Sequence, residues 1–337
     1  MVKKGALKRY IPKPSRREIF TIILLITEIL IFSIVSPNFL SAKNLETVLR
    51  NSTDLAVVAI GMTIVMVLGG IDISVGSAMG VVAIFVGWML EANLNPIIIG
   101  LVAIICGTFI GFINGILVTK AKIPAIITTL GTSNILRALI FGMLGTMRGW
   151  LTGLPRVFSL FTKGHFLGLP VPIFLLGIMY LLFWFFLTNV PIGRHIYAVG
   201  NSTEAAKLAG IPTDRITLMA FSILGSLVGF SALIYVGRLA SVEITVGLDL
   251  PISAIAASVI GGTSVKGGKG SVVGTLAGVL FIAFMKNGIV LLGIPSLWER
   301  AVVGFLIVVS VLVDLIITRR LDKKQREQLS IQRMQQA

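Results

Sequence analysis

Almost the whole chain is cut into apolar stretches about as long as a bilayer-crossing helix, which needs roughly 20 residues. A chain built this way has too little polar surface for a water-soluble globule. Of its 337 residues, 55% are hydrophobic and 13% charged, where a soluble domain usually carries about 25% charged residues; mean hydropathy is +0.98. The expected class is an all-α polytopic membrane protein of about ten transmembrane helices. The apolar stretches fall at 19–36, 54–70, 73–90, 96–118, 124–146, 169–188, 216–237, 250–263, 272–292 and 298–317. The eighth, "LPISAIAASVIGG", is short for an upright crossing and reads as a half-helix or a tilted helix shielded by its neighbours.

An even number of crossings puts both termini on one side, and Lys and Arg indicate which. With both termini in the cytoplasm, 20 of the 29 Lys and Arg residues lie on the cytoplasmic side and seven outside, while Arg137 and Lys286 fall inside spans. This divides the chain into a basic cytoplasmic segment at 1–18, a transmembrane domain at 19–317 with an internal cytoplasmic loop at 193–216, and a basic cytoplasmic tail at 318–337. The basic N-terminus precedes a long apolar stretch with no small-residue cleavage site after it, so this stretch is expected to be kept as the first span. The net charge of +15 is spread over termini and short loops, which fits topology and not nucleic-acid binding.

Catalytic chemistry has no foothold in the sequence. His165 and His195 stand apart from any carboxylate pair or cysteine, so no metal site is expected. The only cysteine, Cys106, lies within an apolar run and reads as a small buried residue. "GGTSVKGGKGS" at 261–271 looks like a phosphate loop but breaks its spacing: Thr263 stands where a glycine is required, and Gly270 where Ser or Thr must follow Lys269. It reads as a flexible basic turn. Glu28, Arg137 and Lys286 are ionisable groups inside spans, which face either a partner or a wet cavity.

Three polar breaks are more informative. "GGIDISVGS" at 69–77 places Asp72, Ser74 and Ser77 among glycines, and "KIPAIITTLGTSN" at 122–134 places Thr128, Thr129 and Thr132 at the start of the fifth span. Thr128 and Thr132 share one helical face. Their hydroxyls suit a wet path for a polyol-like solute, or else bond to carbonyls of the preceding turn. The third break, "GNSTEAAKLAGIPTDR" at 200–215, predicts a short helix. Thr203 is the expected N-cap, Glu204 complements the dipole in the first turn, and Gly210 with Pro212 ends it. Small side chains on such a helix fit closely into another protein's groove.

Glu204-Ala-Ala-x-x-x-Gly210 resembles the core of the EAA loop of ABC importer permeases. The longer form of that motif continues with Ile-x-Leu-Pro, where this chain has Ala220-Phe-Ser-Ile. Together with "GGIDISVGS", "KIPAIITTLGT", "GRHIYAVGNSTEAAKLAGI" and "AIAASVIGGTSVKGGKGSVVGTLAGV", the pattern resembles the ribose-type branch, whose members import ribose, galactose, xylose or autoinducer 2. The resemblance runs over about residues 45–317. It implies a permease subunit in the bacterial plasma (inner) membrane that performs no chemistry and binds no cofactor itself. ATP and Mg would sit on a separate cytoplasmic ATPase subunit, and an extracytoplasmic sugar-binding protein would deliver the cargo. A second permease copy or paralogue would complete a dimer, surrounded by membrane lipid. Thr203, Glu204, Ala205, Ala206, Leu208, Gly210 and Ile211 would form the ATPase-coupling surface. Two alternatives stay open: autoinducer 2 or another small metabolite as cargo, and an ion-coupled secondary transporter.

Overall fold

The computed structural model describes residues 16–144, 149–150, 156–166, 168–295, 297–310 and 312. The N-terminal residues 1–15 and the expected tail at 318–337 lie outside the described residues. Twelve helices run in chain order: α1 (Arg16–Val35), α2 (Ala42–Val67), α3 (Val75–Glu91), α4 (Pro96–Thr119), α5 (Ala125–Leu144), α6 (Arg156–Lys163), α7 (Val171–Asn189), α8 (Pro191–Asn201), α9 (Thr203–Leu208), α10 (Thr213–Leu239), α11 (Leu250–Ile260) and α12 (Val272–Leu291). Residues 297–310 are also helical. The all-α polytopic expectation fits; among the described residues the only strands are four of two residues each: β1 (Gly149–Trp150), β2 (His165–Phe166), β3 (Leu169–Pro170) and β4 (Ser241–Val242). They form two antiparallel pairs, β1 with β4 and β2 with β3. The short turns between apolar helices use them to pair backbone groups that would otherwise be unsatisfied.

Among the described residues, seven helices are long and apolar enough to cross a membrane: α1, α2, α4, α5, α7, α10 and α12. α3 and α11 are apolar but shorter. α11 has 11 residues, as the short eighth stretch suggested.

α2 is the central post. Every residue from Ser52 to Val67 is buried; from Leu55 to Val67 all but Thr63 are apolar or glycine, as suits a helix enclosed by others. Around it, α4 and α10 meet along backbones. Gly107 and Gly111 face Gly225 and Phe221, and a β-carbon at any of the three glycines would collide with a carbonyl across the seam. Small residues four apart let the two helices approach this closely, where dispersion and not hydrophobic transfer drives association in lipid. α1 packs beside α12: Phe32 lies against Gly288, and the Thr21 hydroxyl donates to the Ile260 carbonyl at the end of α11. Isoleucines and leucines on α1, α4, α5 and α7 remain exposed, a surface suited to acyl chains.

Candidate functional site

The region around α9 is built from local rules. Ser202 is its N-cap: the residue is extended, at φ −160° and ψ 108°, and its hydroxyl accepts from the Ala205 N–H at 3.2 Å. The sequence assigned that role to Thr203, one residue late. Thr203 is already helical, and its hydroxyl turns back to donate to the Val199 carbonyl at 3.2 Å. Either residue type can cap, and backbone conformation decides between neighbours. At the other end Gly210 has φ +77°. The Ile211 N–H bonds the Ala206 carbonyl and the Gly210 N–H bonds the Lys207 carbonyl, each at 3.0 Å. This is a Schellman closure, with glycine in the left-handed position where a β-carbon is strained.

Thr203, Glu204, Ala205, Leu208 and Gly210 are exposed, whereas Ala206 is buried and Ile211 half-buried. Ala206 and Ile211 therefore anchor the helix, and the other five residues face outward. Leu208 is 91% exposed.

α9 is tied to the bundle by close backbone contact. Gly200 lies in the last turn of α8, where a β-carbon would collide with the Val67 carbonyl at the end of α2. The same carbonyl accepts from the Gly268 N–H at 2.8 Å. Gly268 belongs to the 261–271 turn, which is packed between α2 and α8 and does not hang free. Tyr197 on α8 donates to the Gly270 carbonyl at 2.8 Å. Burial and the negative charge of Glu18 push the Tyr197 phenol up to about 12, so it keeps its proton and this bond at neutral pH.

The second polar region is a closed knot between α2, α3, α4 and α5. Asp72 sits in the α2–α3 turn. One of its carboxylate oxygens accepts from the Ser74 N–H at 2.8 Å and from the Ser74 hydroxyl at 2.6 Å. The other accepts from Asn114 Nδ2 at 3.3 Å. Asn114 Nδ2 also donates to Ser74 Oγ at 2.8 Å, and Asn114 Oδ1 accepts from the Thr132 hydroxyl at 2.8 Å. Thr129 donates to the Ile71 carbonyl at 3.2 Å and accepts from the Ile73 N–H at 3.1 Å. Ser77 Oγ lies 3.0 Å from Ser133 Oγ. Asp72, Ser74, Ser77, Thr128 and Thr129 are buried and Thr132 half-buried.

The six residues picked from sequence thus gather in one place, but five of them contact other protein groups and leave no open lining. Thr128 differs: its hydroxyl is buried with no partner among the described residues. Thr132 also donates to the Thr128 carbonyl at 3.0 Å, the preceding-turn bond that the sequence left open as an alternative. The hub, Asn114, was missed. Its only signal was an amide in the C-terminal part of the largely apolar α4.

The three ionisable groups inside spans differ in surroundings. Arg137 donates to the Ile244 and Val246 carbonyls at 2.9 and 3.1 Å. Lys286 Nζ lies 3.3 Å from Ser253 Oγ. Both carboxylate oxygens of Glu28 are buried without a partner among the described residues. No group of three or more His, Cys, Asp or Glu residues able to hold a metal ion occurs among the described residues.

These features can be set beside known proteins. Residues 44–311 match the family described as branched-chain amino acid transport system / permease component. The chain is 38% identical over 295 residues to the ribose import permease protein RbsC of Haemophilus influenzae, covering 87% of this chain and 91% of that protein. It is 38% identical over 288 residues to RbsC of Bacillus subtilis, covering 85% and 89%. It is 32% identical over 314 residues to the autoinducer 2 import system permease protein LsrC of Photorhabdus laumondii, covering 93% and 94%. No solved structure matches the chain. With a buried central helix, seven helices fit to cross a bilayer and this similarity along most of its length, the chain belongs to that family and is a multi-pass permease component of a transport system in the bacterial inner membrane.

Proposed function

We propose that this permease carries a ribose-like monosaccharide inward, driven by ATP hydrolysis on a separate cytoplasmic subunit. The observation that carries the coupling half of this reading is α9. It is capped by the Ser202 hydroxyl at one end and by the Gly210 and Ile211 backbone at the other, and presents Glu204 and an almost fully exposed Leu208. The cargo half draws on the ribose import permeases among the relatives.

In this reading the chain crosses the membrane ten times within 19–317, and both termini are cytoplasmic. An extracytoplasmic binding protein delivers the sugar, and a second permease copy or paralogue completes the assembly. ATP and Mg are held by the ATPase, and this chain binds no cofactor. Motion of α9 passes through Gly200 to the end of α2, beside the Asp72 knot. That knot is the inner barrier, whose internal hydrogen bonds must be exchanged for bonds to water or solute when it opens. The motion selects between two packings of the bundle.

Uptake in proteoliposomes tests this. Labelled ribose should enter only when ATPase, binding protein and ATP are all present. Uptake driven by an ion gradient without the ATPase would establish the secondary-transporter alternative instead. A second cargo, autoinducer 2, is favoured by the LsrC relative; competition between the two solutes at the purified binding protein separates them.

A further inference from the structure

A cavity of about 580 Å³ lies between the N-terminal half of α2, the C-terminal ends of α10 and α12, and the 245–250 segment. A second lobe of about 280 Å³ adjoins it and shares Asp249, Ser253, Lys286 and Glu299 with it. In the topology proposed above, all of these elements face the outer side. The cavity is on the other side of the chain from α9, and of the residues picked from sequence it is lined by Lys286, one of the three ionisable groups inside spans.

Its wall is charged. Across both lobes Asp54, Asp249 and Glu299 stand against Arg238, Lys286 and Arg300. Asp249 and Arg300 are exposed at the rim, whereas Asp54 is buried and Arg238 and Lys286 are half-buried; ionisable groups set into a membrane bundle face a partner or a water-filled cavity. The charges are largely cancelled in place. Arg238 holds Asp54 at 3.0 Å and Arg300 holds Asp249 at 2.8 Å, and Arg238 also donates to Asn51 Oδ1 at 2.9 Å. An anionic solute finds no unpaired cluster of cations here, and an apolar one would leave these groups without water.

A hydroxyl suits the wall because it both donates and accepts, and can bridge a carboxylate and a guanidinium that are already paired. The lining also includes the apolar side chains of Leu55, Met79, Val246 and Leu250, which suit the C–H face of a sugar ring. A volume of a few hundred Å³ is the usual size for small-molecule sites. It accommodates a monosaccharide with water to spare.

The inner end is sealed by backbone. Gly247, at φ +72°, packs on Gly76 so closely that a β-carbon on either would meet the other's carbonyl. Arg137 holds the adjoining Ile244 and Val246 carbonyls. Behind this seal α3 continues to Ser77 and the polar knot.

We propose that this cavity is the chamber that receives the solute on the outer side, and that it takes a neutral polyhydroxylated ring, held by the Asp54–Arg238 pair, Lys286 and Asn51. The assignment rests on the importer reading above. The test uses Thr245→Cys, an exposed position on the chamber wall, in a Cys106→Ser background. It is made in proteoliposomes of the full assembly with ATPase and binding protein, so that the blocking group arrives after folding. A bulky membrane-impermeant thiol reagent added from the outer side should reduce ATP-driven uptake of labelled ribose at least tenfold, and a reductant should restore it. Asp54→Asn should reduce uptake about fivefold in assemblies of normal composition. Stoichiometric modification with unchanged uptake would overturn the chamber while leaving the importer reading intact. An unmodified importer that moves none of a panel of neutral pentoses and hexoses would overturn the reading and the chamber's ligand class together.

Discussion

The α9 turn and the Asp72 knot satisfy their hydrogen bonds in opposite ways. α9 closes on itself. Ser202 caps one end, Gly210 and Ile211 the other, and every bond spans five residues or fewer. The Asp72 knot is closed by partners 40, 42 and 18 residues apart in sequence, at Ser74–Asn114, Asp72–Asn114 and Asn114–Thr132. A locally closed helix can move as a unit without breaking anything of its own. A knot closed across three helices can open only if those helices separate. The first arrangement suits a moving contact, the second a barrier.

The sharpest way to break this comparison is at the joint between the regions. Gly200→Ala puts a methyl into the Val67 carbonyl, and backbone cannot yield as a flexible side chain can. Uptake should be lost, with the chain still inserted but melting several degrees lower in detergent, as measured by fluorescence-detected size exclusion. Glu204→Lys should reduce uptake more than tenfold and abolish co-purification of the ATPase while leaving the melting point unchanged, since Glu204 is exposed and outside the closure bonds. Unchanged co-purification would remove α9 from the coupling role.

Asn114→Leu should lower uptake several-fold and stability by about 2–3 kcal/mol, because Asp72 and Thr132 lose a buried partner. If thermal melting does not shift, the knot is not held by Asn114. Ser202→Ala should cost about 1 kcal/mol of local helix stability, the usual loss for an N-cap, visible as faster amide exchange over 203–208. Thr203→Ala should cost less than that; equal effects would mean that the two residues share the cap.

Much of this architecture could be read before any coordinates. Apolar length and the glycine and proline punctuation located the spans, and the shortness of α11 was visible in "LPISAIAASVIGG". The α9 turn was legible because all of its determinants lie within ten residues. The error at Thr203 was a slip of one position between two residues able to cap. Asn114 was not legible, and of the cavity wall only Lys286 stood out. Asn114 acts through residues on two other segments, and Asp54, Arg238 and Lys286 are dispersed over α2, α10 and α12. Nothing local marks such residues as neighbours. The 261–271 turn looked flexible because of its glycines, but Gly267 and Gly268 serve close packing against Gly69 and Asn201.

The meeting of Val67, Gly200 and Gly268 also bears on how the protein is made. The three positions are separated by more than 60 residues at each step, so this face stays incomplete until the last of them has left the ribosome. Chains emerge and fold from the N-terminus onward. The Val67 carbonyl must wait for nearly four-fifths of the polypeptide before its partner N–H arrives. A chain stopped short of Gly268 would carry α9 on an unfinished face, and under the coupling role proposed for α9, assembly with the ATPase would discriminate complete permeases from fragments.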